Sequence, residues 1–192
     1  MRSDQEAIPP DFEAALLSLR GHRQRAEIRL AEVPPPTRIA PYTAALTAEV
    51  NPTGEPEDLL GSGRFVVLHD PAEPTAWQGA FRIVVLARAH IEPELGVDPL
   101  LGQVAWSWLL DALETAGAGY HSISGSVTRV MSEVFGSKAG DGDDAEVEIR
   151  ASWTPRTTDL GPHLMAWSQL CASTAGLTPI PPGVSVIGNT PS

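Results

Sequence analysis

The sequence predicts an α+β fold: a two-layer sandwich, with a mainly antiparallel sheet of five to six strands and three helices on one face. Three observations carry this. Four strand-like stretches precede the longest amphipathic helix and two follow it. The connectors between strands are short and rich in the 18 prolines and 17 glycines, which favours antiparallel pairing. And 192 residues, 42% of them hydrophobic, suffice for one buried core without disulfide or metal. We therefore expect a flexible lead over residues 1–10, a single domain over 11–177 and an irregular Pro-rich tail over 178–192.

In order, Asp11–Arg20 reads as a helix, with Asp11 as N-cap, Phe12, Ala15, Leu16 and Leu19 on one face, and Gly21 as the stop. Arg25–Val33 alternates Ala26, Ile28 and Leu30 with charged residues, a strand with one wet face, and Pro34–Pro36 ends it. Thr43–Val50 alternates likewise, and Gly63–Asp70 holds the run Phe65–Leu68, suited to a central strand. Trp77–Ile91 reads as the longest strand, with Gly79 as a bulge. Pro99–Ala116 is the clearest helix, capped by Asp98 and ended by Gly117. Tyr120–Phe135, bent at Gly125, and Ala145–Trp153 are strands joined by the acidic loop Gly136–Asp144. Leu160–Ala175 closes the fold as a helix, with Asp159 as cap and Gly176 just past its end.

Charge excludes some partners. The net charge is -11, the opposite of the field that phosphate backbones or anionic membranes attract. Nucleic acid is therefore not an expected partner, and no apolar run is long enough to span a membrane. Cys171 has no second cysteine to bridge, which fits a reducing compartment, so we expect a cytoplasmic protein.

The chemistry-bearing candidates are few. His90, Glu92 and Glu94 share a face if the chain stays extended, and could converge on one cation, although Pro93 interrupts them. His90 and Glu92 match half of a zinc deaminase pattern, whose Pro-Cys-x-x-Cys half is missing. His69 and Asp70 end a strand and could act as a His–carboxylate general base for a nucleophile such as Ser62, Ser124 or Ser126, with Glu92 as a further acid. Gly61-Ser62-Gly63 lacks the spacing of a phosphate loop, and Asp141, Asp143 and Asp144 lack the glycine and distal glutamate of a calcium loop. Arg20, Arg23, Arg25 and Arg29, with His22, form a basic cluster that could touch RNA. His121 and His163 carry no motif, and Cys171 falls on a helix face with Leu164, Trp167 and Leu170. Trp106 lies off the stripe of its helix; with Trp77 and Trp153 it is an interface candidate.

The segments WQGAFRIVVLARAHIEPELGVDPLLGQVAWSWLLDAL, SGSVTRVMSEVFG and AEVEIRASWTP together resemble an actinobacterial family of domains of unknown function. That resemblance covers most of the chain and implies no activity, so no residue's role carries over from it.

From the residues themselves we expect a non-enzymatic protein-binding or adaptor module, forming a homodimer with a further protein partner and needing neither metal nor cofactor. A metal-independent hydrolase or small-molecule enzyme using His69 and Asp70 is the rival reading. A weak RNA-associated factor using Arg20–Arg29 is the third.

Overall fold

A computed structural model describes residues 7–180, so most of the predicted lead and tail lies outside the described residues. Its strands are β1 (Ile28–Val33), β2 (Tyr42–Val50), β3 (Gly61–His69), β4 (Phe81–Ile91), β5 (Tyr120–Ser132) and β6 (Asp144–Pro155). They form one antiparallel sheet in the order β1-β2-β3-β4-β6-β5. The helices are α1 (Pro10–Ser18), α2 (Pro93–Gly96), α3 (Leu101–Thr115) and α4 (Gly161–Thr174), one more than the sequence predicts. The α+β class stands.

The extra helix arises at Glu92-Pro93, where proline takes the first helical turn and diverts the chain out of β4. Other boundaries move for local reasons. Asp11 is not the cap of α1; Pro9 holds that place and Pro10 opens the helix. The first strand begins at Ile28 rather than Arg25, because a turn closes from the Ile28 amide to the Arg25 carbonyl. Trp77 and Gly79 are not on a strand, since the amides of Trp77 and Gln78 bond back to Pro74 and Gln78 holds φ +55°. In β5 the irregularity falls between His121 and Ser124, with Ser122 at φ +53°, and not at Gly125.

Alternation decides what lies above the sheet. Phe65 and Val67 on β3, Ile83, Val85 and Ala87 on β4, and Ile149, Ala151 and Trp153 on β6 all face one side. Phe12 and Ala15 of α1, Leu109 and Leu113 of α3, and Leu164, Trp167 and Leu170 of α4 join them in one core cluster. α4 is apolar nearly all round and is the innermost helix, with Gly161, His163, Ala166, Cys171 and Ala172 also buried. Two indoles tie it down. Trp167 donates from Nε1 to the Leu86 carbonyl at 3.0 Å, and Trp153 on β6 donates to Nδ1 of His163 at 2.9 Å.

Gly63 sets how closely α4 approaches. A Cβ built there would stand 2.5 Å from Cys171 Sγ and 2.9 Å from the Leu86 carbonyl oxygen, closer than real side chains come, and 3.0 Å from the Trp167 ring. Gly102 on α3 is the contrasting case, with nothing within 4 Å of a Cβ. Gly63→Ala is expected to lower stability by about 2 kcal/mol through overpacking. Gly102→Ala should raise it by up to about 1 kcal/mol through helix propensity. Urea denaturation of both variants checks the pair.

Candidate functional site

With the helices gathered on one side, the opposite side of the sheet carries its own pattern. Antiparallel register lines its residues into rows. One row runs Arg64, Leu86, Arg150, Ser126 across β3, β4, β6 and β5. The next runs Val66, Val84, Ser152, Ser124. These two rows line an open groove of about 450 Å³. Its floor is Val66, Val84 and Leu86, and its outer wall is the hydroxyls of Ser124 and Ser126 beside Gly125. Val84 is 37% exposed, unusual for a valine in a central strand.

At one end the loop after β3 folds over the sheet, where Trp77 packs on Ala45, Val66 and Leu68. Beneath it Arg82, opposite Leu68, is buried without a carboxylate. Its guanidinium donates to the Ser122 carbonyl at 2.8 Å, to Thr154 Oγ1 at 3.2 Å, and to Ser152 Oγ at 2.8 Å. Desolvation pulls it below the usual arginine range. The far end is acidic: Glu146 and Glu148 pair with Arg88 at 3.0 and 3.4 Å, and Glu148 also holds Arg150. Arg64 pairs with no carboxylate among the described residues; its guanidinium donates only to the Pro34 carbonyl, at 3.3 Å. The groove is therefore apolar in its floor and cationic along its Arg64 side.

The predicted hydrolytic set does not assemble. His69 is buried on the helix side, ringed by Phe12, Tyr42 and Phe81, and its Nδ1–H donates to the Ala80 carbonyl at 3.1 Å. Asp70 turns away to accept from the Ala72 amide at 2.9 Å. Ser62, Ser124 and Ser126 lie on the opposite side of the sheet from that ring. Glu92 follows the other end of β4, about 33 Å along the strand at roughly 3.3 Å per residue. One serine does meet a histidine: Ser122 Oγ and His121 Nδ1 are 3.0 Å apart, but no carboxylate orients that ring among the described residues.

The metal candidates separate too. His90 bonds Asp144 Oδ1 at 3.2 Å, while Pro93 starts α2 and carries Glu94 off the strand. No three His, Cys, Asp or Glu side chains gather among the described residues. The basic cluster also divides. Arg25 is engaged by Glu27, holding that carboxyl below its usual range by hydrogen bonding, and by the Thr178 carbonyl at 2.7 Å. Arg29 lies opposite Glu49 on β1, and Arg20 and Arg23 are exposed between α1 and that strand. Of the interface tryptophans, Trp153 is fully buried and reaches no surface, a consequence of facing α4. Trp77 and Trp106 are half-buried, Trp77 beside the groove and Trp106 in contact range of Gly125.

Arg64, Arg82 and Arg150 belong to no motif in the sequence. Their one trace is that β3 and β4 are apolar on both faces at Phe65–Leu68 and Ile83–Leu86, flanked by arginines. Residues 8–185 match the family described as protein of unknown function (DUF3000). The chain belongs to that family. No curated protein and no solved structure matches this DUF3000 member. No helix of its described residues is long and apolar enough to cross a membrane.

Two buried groups of this DUF3000 chain give measurable signatures. His163 is 1% exposed, and burial lowers it to about 4, against a smaller upward pull from Asp159. Its contribution is present above pH 6.5 and is lost as pH falls from about 6.5 to 4, by up to about 1.4 kcal/mol per pH unit. Denaturation midpoints across that window check this, and His163→Gln, which keeps an acceptor for Trp153, should flatten the slope. Arg82→Met strands the Ser122 carbonyl and two hydroxyls, and is expected to cost about 2 kcal/mol by the same measurement.

Proposed function

We propose that this protein is a cytoplasmic, non-enzymatic binding module that receives an extended polypeptide segment across the helix-free side of its sheet. The observation that carries this is Arg64, a guanidinium without a carboxylate partner beside a floor of Val66, Val84 and Leu86. A free guanidinium fork suits a carboxylate, and the apolar floor suits aliphatic side chains one period away along a strand. The segment it fits therefore alternates acidic and apolar residues. Ser124, Ser126 and Ser152 offer hydroxyls to its backbone. The single buried cysteine, Cys171, is consistent with a reducing location.

The net charge of -11 repels an acidic partner at long range, but solution salt screens that field beyond about 8 Å. Contact at Arg64 then decides. Panning a displayed random-peptide library on the purified chain is expected to enrich acidic–apolar alternation. Binding of the enriched peptides should fall at least about tenfold in Arg64→Glu. Absence of enrichment, or peptides that bind Arg64→Glu and Val84→Glu unchanged, would show that the groove is not the site.

A further inference from the structure

We propose that the free edge of β5 is where a second copy of this chain pairs, strand against strand, across a two-fold axis at Thr128. The two edges of the sheet differ. β1 is six residues long, carries Arg29 and Glu32, and runs into Pro34–Pro36, all features that blunt an edge. β5 is thirteen residues long and has no proline. Beyond its bulge, Ser124–Ser132 is regular and pairs only with β6. The stretch holds one charged residue, Arg129, whose guanidinium folds away onto the carbonyls of Gly96 at 3.3 Å and Asp98 at 2.8 Å. Among the described residues, no strand pairs with its outer edge.

Charge selects the occupant. Two copies carrying -11 each repel wherever acids meet, and Ser124–Ser132 has none. An identical stretch set antiparallel to itself is self-complementary, as a two-fold interface requires. Using all of Ser124–Ser132 puts Thr128 opposite Thr128 of the second copy, Ser126 opposite Val130, and Gly125 opposite Met131. Val130 and Met131, 48% and 42% exposed, are covered by that arrangement. Trp106, whose ring stands over Gly125, meets the Met131 thioether of the second copy, a favourable sulfur–aromatic contact. Ser124 and Ser126 are also the outer wall of the groove, so pairing sets Ser132 and Val130 of the second copy beside that wall. The inference does not rest on the peptide-binding reading; either can fail while the other stands.

Sedimentation of the native chain is expected to give twice the chain mass. Thr128→Lys places an ammonium beside Glu148 of its own sheet but opposite its own copy across the axis. That variant should sediment at the chain mass while keeping the native far-ultraviolet circular dichroism, and its melting temperature should no longer depend on protein concentration. Thr128→Cys should form a reducible dimer on mild oxidation, because opposed residues in an antiparallel pair lie about 4.5–5.5 Å apart at Cα, within disulfide reach. Background is low, since Cys171 is buried and its thiol is pushed far up from the usual range by desolvation. A native chain that stays monomeric at every concentration, or a dimer that Thr128→Lys leaves whole, overturns the proposal.

Discussion

The close seating of α4 on β3 is the constraint from which the rest of the molecule follows. With no side chain at Gly63, the Trp167 ring and Cys171 come down onto the strand, and the indole reaches the Leu86 carbonyl. Phe65 then packs 5.4 Å from the same indole, measured between ring centres. A helix that deep is surrounded on all sides, so α1 and α3 gather around it rather than on the other face of the sheet. Trp153 and His163 complete the seat from β6. The bareness of the opposite side is thus a consequence of packing, before any question of ligand arises.

How much of this was readable differs between elements and site. The strand cores were readable because alternation survives in β2 and β6, where Glu49, Glu146 and Glu148 mark the wet positions. Trp77 reads as strand from sequence because an aromatic before an apolar run has high strand propensity, whereas Pro74 and a left-handed Gln78 impose a turn that propensity cannot see. Gly125 looked like a bend; it is a point of close approach for Trp106, while the bend falls at Ser122, a residue without any local signal for φ +53°. The groove was invisible for another reason. Arg64, Arg150 and Ser126 are far apart in sequence, and only register puts them in one row. Register in turn depends on β6 inserting between β4 and β5, which no local pattern announces.

The arginines of that face divide by what surrounds them. Arg82 is enclosed, and its donors are spent on neutral oxygens that hold the β5 bulge, β6 and, through Thr154, the Trp77 carbonyl together. Arg88 and Arg150 are matched by glutamates on β6, so their charge is neutralised within the sheet. Arg64 differs from these three in lacking both enclosure and a carboxylate. In a chain with 24 acidic and 13 basic residues, Arg64 thereby keeps its charge without a carboxylate partner among the described residues, on the helix-free face of the sheet.

The placement of β6 also bears on how the chain is made. During synthesis, β1 to β4 leave the ribosome as a meander of neighbouring strands, each able to pair with the one before it. The inner edge of β4 must then wait, because its neighbour in the sheet is β6 and β5 emerges first. α4 comes later still, so the part of the apolar upper face on which it seats stays uncovered until nearly the whole domain has been translated. Such long-range closure slows folding and leaves an unsatisfied strand edge available to wrong partners in the interval. A newborn chain of this topology therefore carries an open strand edge and exposed apolar surface until its last third has been made.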